Sequence, residues 1–274
     1  KVTTKTFEKR IDTELYPLLH KIQAVSGLRC YGKSLTAHLD EIGLLGPDFT
    51  VAHGVWLDDD DCQRLSDHGS SVAHNPGSNM RLGSGLADAR GMLNHSVNVG
   101  IGTDGANCSD NQNMYEAMRI ASMVSKVQGP DQRQWLKTEE IIAAATEGSA
   151  RVLGWKDIGR IAIGYKADIV FLDLQGINWV PFNDPTNQMV HTEDGSSVRN
   201  VMIGGQMVVQ DRLPVNIDLR SLKKKAEAAR ARLARANKPG KKLFDRLESI
   251  VGSFCPGLAL TPHHINRYGA ASQI

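Results

Sequence analysis

The chain predicts an α/β fold, with parallel strands joined by crossover helices and a small antiparallel β unit behind them. Three observations lead there. Short β-branched runs end in a polar residue, at His53, His74 and Asp104, and each is followed by a helical pattern. Beyond residue 157 the apolar runs shorten and are punctuated by glycine, as in antiparallel ribbons. A length of 274 residues, 41% hydrophobic and 23% charged, suits one sizeable core with a smaller appendage. The expected division is an unassigned segment 1–20, an α/β unit 21–157, a β unit 158–217 and a helical extension 218–274.

Residues 1–20 carry no clear strand. Leu35, Leu39 and Ile42 fall at helical spacing, and Gly43 and Gly46-Pro47 stop that helix. Phe49-Thr-Val-Ala52 is a strand delivering His53 to a turn at Gly54. Leu57 and Asp58 open a helix through Cys62, Leu65 and His68, its first-turn acids favoured by the helix dipole. Ser71-Val-Ala73 is the second strand, ending at His74, and Asn75-Pro-Gly-Ser-Asn79 and Leu82-Gly-Ser-Gly85 are expected loops. Residues 86–94 read as a helix and 97–103 as the third strand. Met114–Val127 and Thr138–Leu153 read as further helices, the latter capped by Thr138. Gly159–Leu174 is expected as two short strands joined at Gly164, and Val198–Gln210 as a hairpin around Gly204-Gly205. Residues 218–237 form a basic helix whose stripe of Leu219, Leu222, Ala226, Ala229 and Leu233 is expected to pack on the α/β unit. A second helix and an ordered extension follow from Leu243 to Tyr268.

Parallel strands place their carboxyl ends on one face, where α/β folds gather ligands, so His53, His74 and Asp104 are candidate functional groups. Asp104, under a loop rich in Gly, Asn and Ser, could bind a metal, act as a base or cap the next helix. A net charge of +2 points to no polyanionic partner. Cys30, Cys62, Cys108 and Cys255 lie far apart without a C-x-x-C pair, which argues for reduced thiols and against a thiolate zinc knuckle. No apolar run approaches the roughly 18 residues of a membrane span. A cytoplasmic protein is expected, with neither nucleic acid nor membrane as partner. Asp58–Asp61 reads as an acidic helix start rather than a cation cluster, and Trp56 and Trp179 as either stacking platforms for a flat heteroaromatic substrate or core.

Four stretches, in this order, resemble the amidohydrolase superfamily: Val51-Ala-His-Gly-Val-Trp-Leu57, Val72-Ala-His-Asn-Pro-Gly-Ser-Asn-Met-Arg-Leu82, Gly102-Thr-Asp-Gly105 and Gly164-Tyr-Lys-Ala-Asp-Ile-Val170. The branch is that of the triazine chlorohydrolases and the S-adenosylhomocysteine, guanine and cytosine deaminases. The resemblance implies a (β/α)8 barrel with a flanking β-sandwich, of which this chain would hold strands six to eight, part of the sandwich and C-terminal helices. It implies that Asp104 binds a divalent metal and takes a proton from its water. His53 would contact that water or the leaving group, while His74, Ser78, Asn79 and Trp56 shape the substrate pocket. The implied reaction is metal-dependent hydrolysis of a non-peptide C–N or C–Cl bond of a small nitrogen heterocycle. Zinc is the first candidate; iron, manganese and nickel suit one carboxylate as well. The residue types agree: a metal-bound carboxylate can shuttle a proton and a neutral imidazole can orient what reacts.

The sequence departs from that pattern in one respect. No counterpart of the strand-one His-x-His is present, and the strand-five His-x-x-Glu, expected just ahead of Lys21-Ile-Gln-Ala-Val-Ser-Gly27, finds Tyr16 and Leu19, with His20 off register by one. The expectation is an incomplete C-terminal part of such an enzyme, completed by an N-terminal fragment or assembling as a homo-oligomer. The alternative is a non-catalytic remnant, or a binding or scaffold protein without the metal site.

Overall fold

The computed structural model describes residues 16–248 and 263–268. Two helices, α1 (Tyr16–Tyr31) and α2 (Leu35–Glu41), precede a sheet of three parallel strands, β1 (Thr50–Ala52), β2 (Ser71–His74) and β3 (Asn98–Ile101), in that spatial order. The crossover from β1 to β2 is α3 (Asp59–Asp67); that from β2 to β3 holds α4 (Pro76–Arg81) and α5 (Ala89–Asn94). After β3 come α6 (Met114–Lys126) and α7 (Thr138–Ala143), which runs through a π turn at Ala144–Gly148 into α8 (Ser149–Val152). The second sheet is antiparallel, β4 (Ile169–Leu172), β5 (Val198–Ile203), β6 (Gln206–Gln210) and β7 (Leu213–Pro214), with α9 (Pro185–His191) between β4 and β5. A long helix, α10 (Leu219–Asn237), follows.

The helix starts are written in the local sequence. Asp58 accepts the Asp61 N–H at 2.8 Å, so the acidic run is a cap for α3, and no group of three potential metal ligands occurs among the described residues. Asn113 caps α6 and Asp218 caps α10. The parallel register pairs Val51 with Val72 and Val72 with Val99. That row packs against Leu65 of α3 and Met92 of α5 in the main apolar core. The opposite face carries Thr50, Ser71 and Asn98 in one row and Ala52, Ala73 and Gly100 in the next. It receives α8: Thr50 Oγ1 donates to Val152 O at 3.2 Å, and Asn98 Nδ2 to Gly148 O at 3.2 Å. A Cβ on Gly100 would lie 2.7 Å from Val152 Cγ2, which explains glycine there. Ser149 Oγ bridges the Ile101 N–H and C=O on the outer edge of β3, at 3.1 and 3.0 Å.

Several expectations need correction. Tyr16 and Leu19 lie in α1, a helix, rather than at a strand end; residues 1–15 lie outside the described residues. Asn75–Asn79 is not all loop, because Pro76 opens the short helix α4 with its fixed φ. The helix expected over 86–94 starts only at Ala89, capped by Asp88. Lys137, not Thr138, occupies the cap position of α7, with its N–H held by Glu140 Oε2 at 2.8 Å. Only one strand forms within 159–174, because Ile161 and Ile163 stay exposed and find no pairing partner among the described residues. Helix α10 is not packed as expected: none of its residues is buried. The ordered extension past residue 248 is described only at 263–268, so the Leu243–Tyr268 expectation is met in part.

Candidate active site

Each strand of the parallel sheet ends in or leads into a polar residue on the same side of the sheet. β1 leads into His53, whose N–H continues the ladder onto Ala73 O at 2.8 Å before the backbone reverses at φ 71°. Gly54 follows at φ 59°, where a Cβ would stand 2.9 Å from both Met92 Cε and Val72 Cγ1, so this turn requires glycine. Three residues past β3 the chain reaches Asp104, also in the left-handed region at φ 61°. Non-glycine residues at positive φ are uncommon and cost of order 1–3 kcal/mol when held there. Both strand ends are held in that state.

His53 is buried at 8% exposure, and its Nδ1 lies 2.9 Å from Asn79 Oδ1. As oriented, the Asn79 carbonyl is an acceptor that suits a proton on His53 Nδ1. Nε2 faces Asp104 Oδ2 at 3.8 Å. That carboxylate already accepts from Ser78 Oγ at 2.7 Å through Oδ2 and from the Gly105 N–H at 2.7 Å through Oδ1. His53 and Asp104 thus face each other at a separation longer than a direct hydrogen bond. His74, 1% exposed at the end of β2, sits beside this pair. Burial, then the neighbouring His53, press its pKa down to about 4, so it is neutral. Buried and without hydrogen-bond partners among the described residues are His74 Nδ1 and Asn79 Nδ2.

The structure thus brings together Asp104, His53, His74, Ser78 and Asn79. Trp56 goes elsewhere. Its indole N–H donates to Ser84 O at 3.2 Å, and its ring stands edge-on to His263 and Tyr268 at centroid distances of 5.6 and 5.5 Å. Trp179 is core, 1% exposed, with its N–H on Glu193 Oε2 at 2.6 Å. Sequence reasoning missed the segment 263–268, which folds back beside the His53 turn. Arg267 donates to Leu57 O at 2.7 Å, and Leu86 N–H donates to Arg267 O at 2.6 Å. No local pattern announces a contact 210 residues away.

One carboxylate and one imidazole can hold one side of a divalent ion, but a zinc shell takes three or four protein ligands. Among the described residues no third ligand joins them. A metal implied by the resemblance therefore does not fit the described residues alone.

Comparison with known proteins bears on this site. Residues 26–208 match the amidohydrolase family. The chain is 41% identical over 182 residues to a 5-methylthioadenosine/S-adenosylhomocysteine deaminase of Thermococcus onnurineus, covering 66% of this chain and 42% of that protein. It is 40% identical over 190 residues to a 5'-deoxyadenosine deaminase of Methanopyrus kandleri, covering 69% and 44%. Among solved structures it resembles a zinc-bound adenosine deaminase from Xanthomonas campestris, with TM-score 0.75 and 30% identity over 78% of this chain and 48% of that one. It also resembles a zinc-complexed atrazine chlorohydrolase from Arthrobacter aurescens, with TM-score 0.72 and 29% identity over 76% and 46%. The chain spans less than half the length of these relatives.

Proposed function

The chain belongs to the amidohydrolase family, and from that premise we propose that it supplies the strand-six-to-eight side of a metal-dependent hydrolase that removes the amino group of an adenine-type nucleoside. The observation that carries this is the pairing of His53 and Asp104, 3.8 Å apart just past the carboxyl ends of parallel strands. A divalent ion, zinc first among the candidates, would supply an activated water when bound, and Asp104 with His53 would hold one side of it. The substrate class follows from the deaminases the chain is similar to.

The roles of the chain's own residues follow from their bonds. Asp104, steadied by Ser78 and Gly105, is the proton acceptor. His53, its Nδ1–H tied to Asn79, offers Nε2 to the water or to the leaving amine. His74, buried and neutral, offers a polar contact on the substrate side without adding charge. Ser78 and Asn79 hold the two reacting groups as well as shaping the pocket.

The test is metal content and ammonia release from 5'-deoxyadenosine, for the wild type and Asp104→Ala. Each is measured alone and mixed with the N-terminal portion of the Thermococcus onnurineus relative. Zinc retention and ammonia release in the mixture only, lost in Asp104→Ala, is the expected result. One equivalent of zinc on the chain alone would place a complete ligand set within it and overturn the incomplete-site reading. Absence of both in every sample would favour the non-catalytic binding or scaffold alternative.

A further inference from the structure

Helix α10 lies outside the residues matched to the family, and nothing in the proposed chemistry uses it. Leu219, Leu222, Ala226, Ala229, Leu233 and Ala236 follow a three-four alternation, with Ala228, Ala231 and Ala234 off it; such a seam suits a helix that lies along another helix. The seam is open: Leu219, Leu222 and Leu233 are 49%, 51% and 54% exposed. At roughly 1.5 Å per residue its 19 residues make a face about 28 Å long.

The residues flanking the seam choose the partner. Along one side stand Lys223 and Arg230, along the other Lys225 and Arg232. A second copy of the same helix would set these cations against one another in either orientation. The helix has no aromatic residue and only small side chains at the middle of its seam, a poor anchor for a lipid interface, which favours Trp, Phe and Leu. We infer that α10 docks an amphipathic helix of another protein, one whose apolar seam is flanked by glutamates or aspartates. Leucines at the ends of the α10 face would provide the anchors, and the cation rows would set register and exclude basic partners.

The probe is a labelled 21-residue peptide with Leu at the seam positions and Glu beside them, tested on the full chain by fluorescence anisotropy. A peptide of the same composition with the seam scrambled is the control. We expect the seam peptide to bind at least tenfold more tightly than the control. The difference should vanish in Leu222→Gln/Leu233→Gln, which keeps every charge. Lys225→Glu/Arg232→Glu should weaken binding of the Glu-flanked peptide and admit a Lys-flanked one. Equal binding of seam and scrambled peptides would overturn the proposal, as would indifference to the leucine variants. Stronger retention at the same salt on phosphatidylserine vesicles or on a 20-base-pair DNA duplex would do so as well.

Discussion

At the scale of single residues, the site is governed by which nitrogen of His53 holds the proton. The 2.9 Å contact to Asn79 Oδ1 assigns it to Nδ1. Nitrogen-15 spectra of the wild type should therefore show one imidazole with an unprotonated Nε2, and Asn79→Ala should mix the tautomers. An Nε2–H form in the wild type would refute the assignment. His74 makes a pH prediction. Burial first, then His53, hold its pKa near 4 against an ordinary 6.5, so the unfolded chain binds the proton more readily than the folded one. Stability is therefore full above about pH 6.5 and falls toward pH 4, by as much as roughly 3 kcal/mol. Urea midpoints from pH 4.5 to 7.5 should show that slope in the wild type and a flatter one in His74→Leu. The thiols differ in reactivity too: Cys30 is exposed, whereas burial and the adjacent Asp61 carboxylate push Cys62 up to about 12. Iodoacetamide at pH 8 should label Cys30 and spare Cys62, read by peptide mass spectrometry.

At the scale of elements, the β3–α8 contact decides how the three-stranded sheet is covered. Gly100→Ala places a methyl against Val152 and the Ser149 backbone, and should cost about 1–3 kcal/mol in urea unfolding. Ser149→Ala leaves the Ile101 N–H and C=O of the sheet edge without their hydroxyl partner, and should cost a similar amount and raise aggregation. Element legibility followed local physics. Strands β1, β2 and β3 and helices α3 and α6 were readable because β-branched runs and apolar spacing agreed with Asp and Asn caps. Helix α4 was not, since Pro-Gly-Ser-Asn is turn chemistry everywhere except behind a strand that hands the chain to a proline at the first helical position. Apolar spacing in α10 was legible, but whether anything covers it was not; spacing reports a face, never its neighbour.

At the scale of the whole molecule, the segment 263–268 clamps the loops that carry the His53 turn. Arg267→Ala removes the hydrogen bond to Leu57 O and the 3.5 Å pair with Asp88, and should lower stability by roughly 1–3 kcal/mol, measured by the urea midpoint. Alone, the sequence determined the strand-ending polar residues, their common face and the family, because alternation, caps and short motifs are local signals that need no partner. Only the tertiary structure decided that Asn79 belongs to His53, that Ser78 belongs to Asp104, that Trp56 and Trp179 spend their N–H groups elsewhere, and that α8 closes the second face of the sheet. Those pairings join residues from 14 to more than 100 positions apart, and such contacts are selected by packing and hydrogen-bond satisfaction across the folded chain rather than by any neighbour in sequence.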